Sequence, residues 1–127
     1  MHSKFLICES CNQLIHQFGD ENKQFTCCGN PMKEIMPNTV EASVEKHVPV
    51  AEVQGNKLTV RIGVTDHPQT PEHYISWIYV KCGNRTQGIA LTYKDNPIAE
   101  FYGDWSGKVE VQAYCKLHGI WLSTIIC

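Results

Sequence analysis

No stretch of this chain approaches the ~18 consecutive apolar residues of a membrane-crossing helix. No segment carries a sustained helical period either. The opening "MHSKFLICES" has too short an apolar run for a signal peptide, so the cytoplasm is the expected compartment. A positive excess is missing as well: 11 Lys and Arg stand against 13 Asp and Glu, a net charge of −2. That excludes the basic footprint expected of a partner for nucleic acid or an anionic membrane surface. Repeats and low-complexity tracts are absent. With 43% hydrophobic and 19% charged residues, disorder is excluded too. The 127 residues suffice for one domain, or a modest domain with a small appendage.

Cysteine is what the chain has in quantity. There are seven, an odd number in a chain without a signal peptide, which a disulfide framework explains poorly and metal binding or redox chemistry explains better. Four fall in "CESC" (Cys8, Cys11) and "CCG" (Cys27, Cys28), with the spacing C-x2-C-x15-C-C. A C-x-x-C turn lets two thiolates grip one metal, and a second pair returning by a hairpin completes a tetrahedron, as zinc and Fe–S4 sites require. The intervening "NQLIHQFGDENKQFT" reads as two short strands around the turn "GDEN". Spacing alone fits a structural zinc ribbon as well as an iron site. Adjacent ligands such as Cys27 and Cys28, however, are unusual in zinc ribbons and awkward for a relaxed tetrahedron. A segment of roughly 36 residues lies below the ~40 at which an unaided core becomes feasible, so a metal there is needed for folding.

The remainder is β-rich. "KLTVRIGV" alternates Leu58, Val60, Ile62 and Val64 with Thr59, Arg61 and Gly63, the pattern of a half-buried strand. Gly55-Asn56 in "VPVAEVQGNKLTV" marks a hairpin turn. "YISWIYVK", "QGIALTYK", "AEFYG", "KVEVQAY" and "GIWLSTII" continue the pattern between Gly, Asn, Pro and Asp breaks. The one helix-like signal is "QTPEHY", where Thr70 could cap a short turn with Pro71 at its first position. About seven short strands over residues 37–127 predict an all-β, immunoglobulin-like antiparallel sandwich, with "EIMPN" (34–38) as the boundary to the N-terminal part.

Four of the six histidines lie in this second part: His47 in "EKHVPV", His67 and His73 flanking "PQTPE", and His118 three residues after Cys115. One histidine taken alone reads as a surface or satisfied core residue. The grouping reads differently, because loops at one end of a sandwich can converge. Four imidazoles and one thiolate are one ligand too many for structural zinc and suit five-coordinate iron with an open sixth position.

The order of these motifs resembles that of the desulfoferrodoxin family, two-iron superoxide reductases: CxxC-x15-CC, then "EKHVP", then "HP…EHYI.WI", then "YC.LHG.W". The resemblance covers nearly the whole chain, apart from residues 82–110, where no family motif occurs. It implies a desulforedoxin-like domain over 1–36 and a neelaredoxin-like catalytic sandwich over 37–127. It implies two non-haem irons, one Fe(Cys)4 and one Fe(His)4Cys. Cys8, Cys11, Cys27 and Cys28 would bind the first. His47, His67, His73 and His118 would be equatorial ligands of the second, with Cys115 axial and Glu45 and Lys46 beside its open face. It implies superoxide as substrate, a rubredoxin-like electron donor and a homodimer. Gly119 would let the chain turn tightly after His118. Cys82 and Cys127 match no ligand position and read as a small buried hydrophobe and a frayed terminal thiol.

Other functional classes fit parts of this pattern. A metal-stapled binding module with two zincs fits the N-terminal spacing and leaves five ligands in the second set unexplained. An iron electron carrier fits the four cysteines and leaves the histidines idle. A superoxide dismutase would share the substrate. Ferric thiolates are coloured and zinc is silent, and the reductant consumed per superoxide separates reductase from dismutase.

Overall fold

Alternation in the sequence becomes alternation in burial: Leu58, Val60 and Ile62 are fully buried, while Arg61 between them faces solvent. The computed structural model describes residues 4–18, 23–37, 48–63, 69–116 and 119–127, all in strands and turns. Among the described residues no helix is long and apolar enough to cross a membrane. The chain divides into two compact units, residues 1–36 and 37–127.

The first unit holds β1 (Lys4–Ile7), β2 (Leu14–Gln17), β3 (Thr26–Cys27), β4 (Asn30–Pro31) and β5 (Lys33–Ile35). β2-β1-β5 form an antiparallel sheet, and β3-β4 form a separate two-stranded ribbon. Two short strands, β2 and β3, do flank "GDEN", and among the described residues they pair with other strands rather than with each other. β2 turns back on β1 instead, with Phe5 opposite His16 and their rings stacked 4.5 Å apart. Residues 19–22 lie outside the described residues. Buried side chains of this unit are few: Phe5, Leu6 and Cys8.

The second unit holds β6 (Pro49–Gln54), β7 (Lys57–Ile62), β8 (Ile75–Cys82), β9 (Arg85–Ala90), β10 (Ile98–Tyr102), β11 (Lys108–Cys115) and β12 (Gly119–Ile126). They form two antiparallel sheets, β10-β7-β6 and β12-β11-β8-β9. Lettered in chain order these read E-B-A and G-F-C-C′, an immunoglobulin-like Greek-key order. The core lies between them: Leu58, Val60, Ile62, Ala99 and Phe101 from one sheet meet Ile75, Ile78, Val80, Val109, Val111, Ala113 and Trp121 from the other. Burying each large aliphatic side chain contributes about 1.5–3 kcal/mol. Gly55 takes a left-handed φ of 63° in the β6–β7 turn, as a tight hairpin requires.

Three local readings change. "QGIALTYK" reads as one strand, yet β9 ends at Ala90 and Thr92–Asp95 turn instead, the Asp95 carboxylate accepting from the Thr92 N–H (2.8 Å) and hydroxyl (3.0 Å). Cys127 is no frayed end, because its backbone exchanges hydrogen bonds with Gly107 at 2.8 and 3.1 Å. Cys82 is only half-buried, and its thiol donates to the Ser106 carbonyl at 3.4 Å.

Candidate metal centres

The first cluster sits on two knuckles. In the C-x-x-C turn the Asn12 N–H donates to the Cys8 carbonyl (2.7 Å) and the Cys8 N–H to the Gln13 carbonyl (2.9 Å), with Asn12 in a left-handed conformation (φ 63°). The second knuckle is the turn between β3 and β4. There Cys28 itself is left-handed (φ 55°), a conformation that costs a non-glycine residue about 1–2 kcal/mol. That twist is how adjacent cysteines come to face the same point. Glu9, inside the first knuckle, pairs with Lys33 just beyond the second at 2.7 Å.

Four thiolates bound to one metal at about 2.3 Å lie about 3.8 Å apart along each tetrahedral edge. Here Cys11 Sγ is 3.7 Å from Cys27 Sγ and Cys27 Sγ is 4.0 Å from Cys28 Sγ. All four sulfurs lie within 4.8 Å of one another. The donor set and its spacing fit a tetrahedral thiolate metal site, for iron or zinc alike. As bare thiols the four compete for negative charge. The Cys11 N–H brings Cys8 down to about 7, while hydrogen bonds with Cys8 and Cys11 push Cys27 up to about 12.

The second set is described in part. Cys115 ends β11, is fully buried in the sandwich core, and pairs with Gly119 on one side and Ile75 on the other. Gly119 takes a left-handed φ of 86°, the tight return expected of it. A β-bulge at the β8–β11 pairing shifts the register: Tyr114 faces Trp77, but Cys115 faces Ile75, so Ser76 is the extra residue. The bulge absorbs that residue and keeps Ile75 in the core beside Ile78. His73 lies two residues before Ile75, in the turn that leads into β8. On the opposite face Trp77 and Tyr114 stack with centroids 5.7 Å apart.

His73 lies in a tight turn. Thr70 and His73 exchange backbone hydrogen bonds at 2.9 and 3.1 Å, and the Thr70 hydroxyl contacts the His73 carbonyl at 3.4 Å. The expected helical turn is thus replaced by a bridge, with Pro71 fixing its first corner. Glu45, Lys46, His47, His67 and His118 lie outside the described residues. The described chain beside them is well placed: β6 begins at Pro49, opposite the β7 end at Ile62, and Gly119 begins β12 opposite Cys115. In this topology the β7–β8 and β11–β12 connections share one end of the sandwich. Two residues not singled out from sequence also shape this region, Gln69 and Lys116. Each neighbours a candidate ligand named from the sequence, and only the fold reveals what each one holds.

Comparison with known proteins follows the same lines. The Desulfoferrodoxin family model matches residues 39–124. The desulfoferrodoxin of Clostridium acetobutylicum is 43% identical over 100 residues, covering 79% of this chain and 78% of that one. The superoxide reductase from Treponema pallidum superposes with a TM-score of 0.79 at 28% identity, over 97% of this chain and 99% of that one. The superoxide reductase (1Fe-SOR) from Giardia intestinalis aligns with a TM-score of 0.58 at 32% identity, over 65% of this chain and 99% of that one.

Proposed function

Because the chain belongs to the desulfoferrodoxin family, we propose that it is a superoxide reductase. It would carry one electron to superoxide and yield hydrogen peroxide without dismutation. The observation that carries the reading is the family match together with a solved structure named superoxide reductase that aligns with 97% of this chain. A four-cysteine cluster of metal-site dimensions supports it. A fully buried Cys115 beside the His73 turn supports it too.

In this reading residues 1–36 hold iron through Cys8, Cys11, Cys27 and Cys28, and residues 37–127 hold the catalytic iron through His47, His67, His73, His118 and Cys115. Iron held by these residues would supply the electron that reduces the substrate. The chain's own residues do the rest. Burial keeps water from the Cys115 sulfur, so its electron density is directed at the metal rather than spent on solvent hydrogen bonds. The Thr70–His73 bridge fixes the backbone that carries one imidazole. Lys46 attracts the anionic substrate and raises the encounter rate. Glu45 has the wrong sign for that role and would act after electron transfer, its carboxylate being a hard oxygen donor suited to ferric iron. Two protons are needed, and water near Lys46 can deliver them. The donor would be a small rubredoxin-like iron protein, the assembly a homodimer and the compartment the cytoplasm.

Metal analysis and spectra of the anaerobically purified protein in each redox state test the assignment. Two irons per chain and two sets of thiolate bands are expected. Cys115→Ser should abolish the band of the catalytic site and leave the bands of the four-cysteine site, since oxygen removes the sulfur-to-iron transition. Retention of both sets would exclude Cys115 as a ligand.

A further inference from the structure

The His73 turn is held from two sides by residues that no part of the reaction uses. Lys116, directly after Cys115, makes three contacts with the turn. Its N–H donates to the Tyr74 carbonyl at 3.0 Å, its Nζ donates to the Pro71 carbonyl at 3.3 Å, and the same ammonium lies 5.4 Å from the Tyr74 ring centroid. The backbone contact extends the β8–β11 ladder past the bulge. The ammonium contacts cross over the turn and clasp it from outside. On the other side Gln69 accepts from the Ile75 N–H at 2.8 Å and donates to the Asp95 carbonyl at 3.1 Å. Gln69 thereby satisfies the N–H of the residue that follows the turn and ties the turn to the Thr92–Asp95 corner, which Asp95 itself braces.

We propose that Gln69 and Lys116 are a pair of positioning residues that clamp the His73 turn against the strand end bearing Cys115. They fix the spacing of an imidazole and a thiolate that must meet one metal. The inference rests on the assignment of His73 and Cys115 as ligands of the same iron. A metal ligand is only as rigid as the groups that orient it, and loss of such support costs about 10–100-fold in metal affinity. A substrate-attracting role for Lys116 is disfavoured, because its ammonium is engaged by a carbonyl and a ring.

The test uses the full-length, iron-loaded protein. Lys116→Met keeps the stem and removes the ammonium, Lys116→Arg keeps a cationic donor, and Gln69→Leu removes both amide contacts. Release of each iron to a chelator, the position of the catalytic thiolate band and the thermal midpoint are measured together. K116M and Q69L should lose the catalytic iron about tenfold faster and shift its band, with the bands of the four-cysteine site unchanged; the midpoint of Q69L falls as well, since the Ile75 N–H loses its partner, whereas that of K116M stays near wild type. K116R should stay near wild type. Wild-type release and band position in both K116M and Q69L would overturn the clamp alone, as would equal acceleration at both irons. So would a K116M variant that keeps its iron but slows with superoxide in a salt-dependent way, which marks an attractor. A wild-type protein that binds no iron at the second set would overturn the ligand assignment itself, and the clamp with it.

Discussion

Removing the metal from the four-cysteine site should unfold residues 1–36 and leave residues 37–127 intact. Among the described residues the first unit buries two apolar side chains, Phe5 and Leu6, besides Cys8. At about 1.5–3 kcal/mol each they contribute about 3–6 kcal/mol. A tetrahedral thiolate site contributes about 10–16 kcal/mol to the folding of a small domain. A metal bound there would therefore outweigh the apolar core by a factor of about 2–5, and would help to hold Cys28 in its left-handed conformation. The second unit has a core cluster of fourteen buried residues and needs no such staple. The sequence makes the two units separable by assay, because all three Trp (77, 105, 121) and all five Tyr (74, 79, 93, 102, 114) lie beyond residue 36. Amide exchange followed residue by residue, under reducing and chelating conditions, reports both. Protection should vanish across β1, β2 and β5 and persist across β7, β8 and β11, with tryptophan emission little changed. Protected amides in β1 of the metal-free, fully reduced protein would refute the argument.

Other outcomes follow from single features. Gly119→Ala forces a side chain into φ 86°, which should cost about 1–2 kcal/mol and lower the midpoint of the second unit by several degrees in calorimetry. The Thr92 N–H and hydroxyl hold the Asp95 carboxyl below its ordinary range. Its contribution is therefore complete above the unfolded value of about 3.9 and fades as pH falls through the lower folded value. The protection factor of the Thr92 amide, corrected for the intrinsic pH dependence of exchange, should fall on acidification in wild type, and Asp95→Asn should remove that fall. For Lys46→Ala, pulse radiolysis at two ionic strengths should show a slower bimolecular step whose deficit shrinks at high salt. Glu45→Ala should keep that rate and change the resting ferric spectrum instead.

Much of the sandwich was legible because its strands are half-buried and antiparallel, so Leu58, Val60 and Ile62 advertise their face by alternation. The hairpin at Gly55-Asn56 was equally plain. Alternation fails at "YISWIYVK", where Ile75 and Ile78 share the core across three positions. A serine at the bulge is neutral to either face, so nothing in the letters marks Ser76 as the extra residue. Thr92 and Asp95 end β9 through side-chain bonds that compete with strand extension. At the metal centres, Cys8 and Cys11 were readable from their spacing. Cys27-Cys28 looked strained as a pair, and the structure accommodates the strain in one left-handed residue. In the second set, the fold supplies the bulge that sets Ile75 opposite Cys115 and the contacts of Gln69 and Lys116. Such contacts join positions up to 45 apart in the chain and leave no local pattern to read.

The central claim is tested most directly by product stoichiometry. The fully reduced, iron-loaded chain is mixed anaerobically with a measured dose of superoxide, and hydrogen peroxide and dioxygen are quantified together. The account predicts one hydrogen peroxide for each superoxide consumed, one electron withdrawn from the protein per event, and no dioxygen. Dioxygen released at half the superoxide consumed, with the protein's electrons retained, would show a dismutase and contradict it.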